Sequence, residues 1–225
     1  MLPYALCLML FGISAFAQDW TRERLDKSSR HQEWVYLKHS GPTVDAFVVY
    51  PEVSQKTPVI LVIHENQGLT EWVESVADAL AEAGYIAIAP DLLSGMGLKG
   101  GGTSEFAPGA AAQAVGKLPP DQIIADLETI ADYARKIPAA NGKIAVAGFG
   151  WGAEQALRFA AARSEVSALY LFNAAGGAAK GSARIFNFSG PEGFMRVGDA
   201  PGAWGPAKNA RDEAWERWKK VLAEL

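Results

Sequence analysis

Lys143-Ile144-Ala145-Val146-Ala147-Gly148-Phe149-Gly150-Trp151-Gly152 is the stretch from which the fold is read. The turn pair Asn141-Gly142 leads into it, and Lys143 to Ala147 predicts a short, mostly apolar strand. A helix is expected directly afterwards, running to about Ala162. A strand that passes into a helix through glycine-x-nucleophile-x-glycine is a nucleophile elbow, whose small neighbours permit a sharp turn that lifts the central side chain to the sheet edge. Here the frame is intact and its central residue is Gly150. Glycine adopts strained turn conformations at little steric cost, but it has no side chain and cannot attack a substrate.

Working outward, Val59-Ile60-Leu61-Val62-Ile63 is an unbroken apolar run, as expected of a central strand buried on both faces, within Pro58 to Ile63. Glu33 to Lys38, Val44 to Tyr50, Tyr85 to Ala89 (closed by Pro90), Val166 to Phe172 and Arg184 to Phe188 read as further strands. Leu69, Trp72, Val73, Val76, Ala77, Leu80 and Ala81 fall at helical spacing, with Thr70 as cap and Gly84 as stop. Helices are also expected over Asp121 to Ile137 and Ala207 to Ala223. Asp91 to Lys117, with Gly100-Gly101-Gly102 at its middle, reads as a long surface loop whose glycines confer flexibility. Strands alternating with helices predict an α/β domain, a mostly parallel central sheet with helices on both faces.

The 225 residues suit one such domain, over residues 31–225. Residues 18–30 read as a polar lead-in. Met1 to Ala17 is apolar and ends Ala15-Phe16-Ala17, the pattern of a cleaved signal peptide, so a secreted or periplasmic protein is expected. Cys7, the single cysteine, lies inside it, which leaves no thiol for disulfides or nucleophilic attack in the mature chain. A net charge of −4 gives no attraction to nucleic acid or anionic membrane. A small-molecule ligand is the expected partner; oligomeric state is not legible.

Four segments carry a specific likeness: Val62-Ile63-His64-Glu65-Asn66-Gln67-Gly68-Leu69, Tyr85 to Leu93, Gly148 to Gly152, and Gly190-Pro191-Glu192-Gly193-Phe194-Met195-Arg196. In order and spacing they resemble the dienelactone hydrolase family, α/β-hydrolases acting on lactones and carboxylic esters. The family's elbow carries cysteine where Gly150 stands, and its catalytic histidine corresponds to Glu192. The resemblance implies that Glu65 matches a glutamate that pairs with the thiol, that the amides of Asn66 and Trp151 match the oxyanion donors, and that Arg196 matches an arginine binding the substrate carboxylate. A second arginine expected after Asp91 is replaced by Ser94-Gly95. The family's catalytic aspartate follows a strand between those at Val166 to Phe172 and Arg184 to Phe188. Here only residues 173–183 join the two, without Asp or Glu, which implies a fold shortened by about one strand and helix. So short a link either just manages a parallel crossover or makes an antiparallel edge.

Covalent hydrolysis needs a nucleophile, a base and a group that orients the base. The histidines are His31, His39 and His64. The first two flank the early strand, and His64 reads as a packed or hydrogen-bonded structural residue. Three functions stay open. The pocket persists as a binder of a small ester, lactone or carboxylate without hydrolysis; Glu65 and Glu192 together activate a water for hydrolysis; or Gly148-x-Gly150-x-x-Ala153 binds a dinucleotide, although the acidic residue expected near Asn173 is missing. No metal site is expected, since His64-Glu65 lacks a second histidine at helical offset, and no cofactor is implied.

Overall fold

The computed structural model describes residues 21–38, 41, 43–107, 109–174, 182–189 and 206–225, with 206–211 by backbone alone. The strands are β1 (Gln32–Lys38), β2 (Thr43–Val49), β3 (Thr57–Ile63), β4 (Ile86–Asp91), β5 (Ala140–Phe149), β6 (Val166–Phe172) and β7 (Arg184–Phe188). The helices are α1 (residues 21–26), α2 (Glu71–Glu82), α3 (Ala110–Val115), α4 (Pro120–Lys136), α5 (Trp151–Ala162) and α6 (Pro206–Leu222). The strands form one sheet in the order β1-β2-β4-β3-β5-β6-β7. β1 and β2 pair antiparallel, as do β2 and β4, and every later pairing is parallel.

β3 lies inside this sheet with all seven residues buried, as its unbroken apolar run requires. Pleating sends Val59, Leu61 and Ile63 into one core layer and Ile60 and Val62 into the other. The first layer is covered by α3, α4 and α5, through residues such as Val115, Leu127 and Phe159. The second is covered by α2 and α6, through Val76, Leu80, Trp218 and Leu222. The expected apolar face of α2 is therefore the one that meets the sheet.

The link between β6 and β7 makes a parallel connection. Asn173 leaves β6 with φ 52, and its amide donates to Phe188 O at 2.8 Å. Cross-strand register aligns Phe149, Phe172 and Phe188 on β5, β6 and β7. Their rings stack at 4.6 and 4.5 Å, and Trp218 meets Phe172 edge-on at 4.8 Å. Each such pair contributes about 0.5–1.5 kcal/mol beyond its buried area, so the ladder pins the register beneath the elbow.

Several expectations change in detail. β4 runs through Pro90 to Asp91, with Pro90 opposite Ala46, and β5 begins at Ala140 rather than Lys143. The polar lead-in is helical over residues 21–26 and docks: Leu25 is buried, while Arg24 and Arg30 pair with the fully buried Asp78 of α2 at 3.1 and 2.7 Å. Ser28 also donates to Asp78. Charges have no hydrophobic period, which is why this anchor was invisible as a pattern; removing one partner of such a buried pair costs about 3–5 kcal/mol. Met1 to Ala17, with Cys7, lies outside the described residues.

Candidate active site

β5 and α5 meet at Gly150, the N-cap of α5, with φ 51 and ψ −114. Its amide donates to Phe172 O at 2.8 Å, and its carbonyl accepts from Ala153 N at 3.0 Å, so the bend is tied to β6 on one side and to its own helix on the other. The flanking glycines are sterically required. A Cβ on Gly148 would lie 2.6 Å from Gly152 C, and one on Gly152 would lie 2.5 Å from Ile63 O. At Gly150 an added Cβ meets nothing within 4 Å among the described residues. The centre of the bend is thus open among the described residues and carries no side chain.

Glu65 and Asn66 reach the same edge because β3 and β5 are parallel neighbours with Ile63 opposite Gly148. The residues after Ile63 therefore emerge beside the residues after Gly148. Asn66 is exposed and Glu65 half-buried, and burial raises the Glu65 carboxyl above its ordinary pKa. Trp151 opens α5, where the first turn of a helix leaves its amides without intrahelical partners. Glu65, Asn66, Gly150 and Trp151 are brought together at one sheet edge, as the sequence implies.

His64 is fully buried, and its ring stacks on Trp151 at 5.6 Å and 15°. Nδ1 is 2.7 Å from Glu65 O, and Nε2 accepts from Leu92 N at 3.3 Å. A carbonyl can only accept and an amide can only donate, so the neutral ring carries its proton on Nδ1. Both nitrogens are committed to backbone. The ring is closed to solvent and ligand and cannot serve as a substitute catalytic base.

The segment after β4 is ordered by two carboxylates. Asp91 accepts from Leu93 N at 3.0 Å, from Thr103 N at 2.6 Å and from Thr103 Oγ1 at 2.7 Å. Thr103 Oγ1 in turn accepts from Leu69 N at 2.9 Å, which fastens this segment to the one following β3. Glu105 accepts from Lys99 N at 2.8 Å and Gly101 N at 3.3 Å. Ser94, standing where an arginine was expected, accepts from Asp45 N at 2.9 Å and donates to Asp91 O. The expected flexible loop is thus a hydrogen-bonded structure, with a 3-10 turn at Thr103–Glu105 and α3 following. Its glycines give room to side chains: a Cβ on Gly101 would lie 2.7 Å from Glu105 Cδ, and one on Gly102 2.8 Å from Asp91 Cγ. Sequence reasoning missed Thr103 and Glu105, for which no motif exists.

Glu192 and Arg196 lie outside the described residues, as does His39. His31 sits 3.7 Å from Glu33 at the opposite end of the sheet, since Gln32 pairs with Val49 and Val49 with Ala87 at the start of β4. A cavity of about 670 Å³ lies at that same far end, lined by residues including Leu25, Arg30, His31 and Tyr50, and it does not adjoin the elbow. Among the described residues no group of three or more metal-ligating side chains occurs.

Residues 44–180, more than half of the chain, match the model of the dienelactone hydrolase family. Over 135 residues the chain is 30% identical to "Putative carboxymethylenebutenolidase" of Salmonella typhi, covering 59% of this chain and 48% of that one. Over 67 residues it is 45% identical to "Putative hydrolase fragment YghX" of Escherichia coli (strain K12), covering 28% of this chain and 57% of the other. The chain thus spans about half the length of the curated relatives it matches. A crystal structure named "Putative Dienelactone Hydrolase" from Klebsiella pneumoniae superposes with a TM-score of 0.67 at 18% identity, covering 88% of this chain and 100% of that one, a likeness of fold. None of these matches favours the dinucleotide reading.

Proposed function

The chain belongs to the dienelactone hydrolase family, and from that premise we propose that it is a binder of small carboxylates, lactones or esters in which covalent catalysis has been removed at Gly150. The observation that carries this is the elbow itself: the bend, its helix and its open space are kept, and the attacking atom is absent. An oxygen of the ligand would receive the main-chain N–H groups of Asn66 and Trp151, which do not depend on side-chain identity. Burial raises the Glu65 carboxyl above its ordinary pKa, and in its protonated form this side chain would donate a hydrogen bond to a ligand carboxylate. Arg196 would supply the opposite charge, and Glu192 at the histidine position gives no imidazole for acyl transfer.

The test is hydrolysis of p-nitrophenyl acetate by the unaltered protein and by Gly150→Cys. The unaltered protein should release nitrophenol no faster than buffer. Gly150→Cys should give a burst of about one equivalent and then stop, because the thioester left on the cysteine lacks a base to activate the water that would hydrolyse it. Turnover by the unaltered protein overturns the reading. One observation favours a second reading in that event: Glu65, raised in pKa beside the oxyanion amides, could with Glu192 activate a water over the open face of Gly150. Loss of that turnover in Glu65→Gln would establish it.

A further inference from the structure

One buried ring touches all three segments that form this edge. The segment after β3 meets it through Glu65 O, the segment after β4 through Leu92 N, and the elbow helix through the face of Trp151. The Gly152 backbone closes against the carbonyls of Ile63 and His64, so the histidine's own main chain is also the wall on which the elbow rests. We propose that His64 is the positioning residue of the site, setting the distance between the Asn66 and Trp151 amides by holding the three segments on one neutral imidazole. The proposal rests on the carboxylate-binding reading for its ligand, and on geometry alone for its structural part.

The arrangement tolerates only one protonation state. Imidazolium would turn an N–H toward the Leu92 N–H, two donors facing each other in a buried site. Burial accordingly pushes the His64 pKa below the ordinary 6.5, with the Glu65 carbonyl bond and the charge of Asp91 acting against it. The charge that acts on the ring is that of Asp91 from β4; Glu65 meets it through its backbone carbonyl, and α5 offers it the uncharged Trp151. Because the folded protein favours the neutral ring, the contribution of His64 is complete above pH 6.5 and is lost as pH falls below that value.

Three measurements on the full chain decide the matter. Nitrogen-15 spectra of histidine-labelled protein should show one ring as the Nδ1–H tautomer; the absence of any ring in that form would overturn the proposal without any variant. His64→Phe keeps the stacked ring and loses both hydrogen bonds, and its folding is verified by near-ultraviolet circular dichroism. Benzoate affinity should fall at least tenfold in His64→Phe, and partly recover in His64→Gln, which can still accept from Leu92. Unchanged affinity in a folded His64→Phe overturns the role. If the unaltered protein does not bind benzoate, the carboxylate reading fails by itself. Amide exchange at Asn66 and Trp151 then gives the answer, rising tenfold in His64→Phe if the ring holds these segments and staying constant if it does not.

Discussion

In the elbow the glycines are dictated by main chain: Gly148 by the backbone of Gly152, and Gly152 by the carbonyls that end β3. In the loop after β4 they are dictated by side chains, Gly101 by Glu105 and Gly102 by Asp91. The first constraint would hold whatever residues surrounded it, because every neighbour has a carbonyl. The second exists only while its carboxylates do. Gly150 follows neither rule, since no described residue crowds it and its φ of 51 is what resists a side chain. Glycine density alone therefore conflates three situations: a backbone that cannot move, a pocket for a carboxylate, and a vacant post.

The largest effect should come from Gly152→Ala, whose methyl group collides with main chain; urea denaturation should show a loss of about 3 kcal/mol or more. A loss under 1 kcal/mol would mean that the elbow yields and the contrast is false. Glu105→Ala should cost about 2 kcal/mol through the two amides left without their carboxylate. Adding Gly101→Ala to Glu105→Ala should cost less than Gly101→Ala costs in the unaltered chain, since the obstacle is gone. Additive costs would place the loop in the elbow's class.

Glu74 sharpens the comparison from the other side. Asp91 and Glu105 are met by amides, whereas burial, then Glu71, push the Glu74 carboxyl up to about 7, with Arg22 opposing and Asp91 adding to the rise. The stability that follows from its protonation is present below the ordinary value near 4.5 and is lost as pH rises through 7. Glu74→Gln should therefore raise the melting temperature at pH 8, by a gain of about 1 kcal/mol, and leave it unchanged at pH 4. The smallest effect is expected of Gly150→Ala. Strain at positive φ, partly offset by a less flexible unfolded chain, should leave a loss of about 1 kcal/mol or less.

The sheet was legible because its signals are local. The bounds of Val166–Phe172 and Arg184–Phe188 are those expected from the sequence, and the centrality of β3 follows from its lack of alternation. The elbow was legible for the same reason: strand, turn and helix are contiguous. What stayed hidden depends on distant pairs. Asp91 and Thr103 are joined by side-chain-to-backbone bonds that leave no period, and Asp78 gathers Arg24 and Arg30 from a segment that looks merely polar. The aromatic ladder is visible only after the register of β5, β6 and β7 is known. Of the candidate site, the main-chain donors and Glu65 could be placed from their position after β3 and β5. His64 could be read as structural, yet the three segments it joins could not.

The emptiness around Gly150 also makes it a point of chemical access. Since Cys7 is the sole cysteine in the sequence, a Cys7→Ser, Gly150→Cys chain would carry a single thiol on the floor of the cleft. A maleimide fluorophore or nitroxide attached there would sit at the bend between β5 and α5. The colour or linewidth of such a label would turn the elbow into a sensor for whatever small molecule settles upon it.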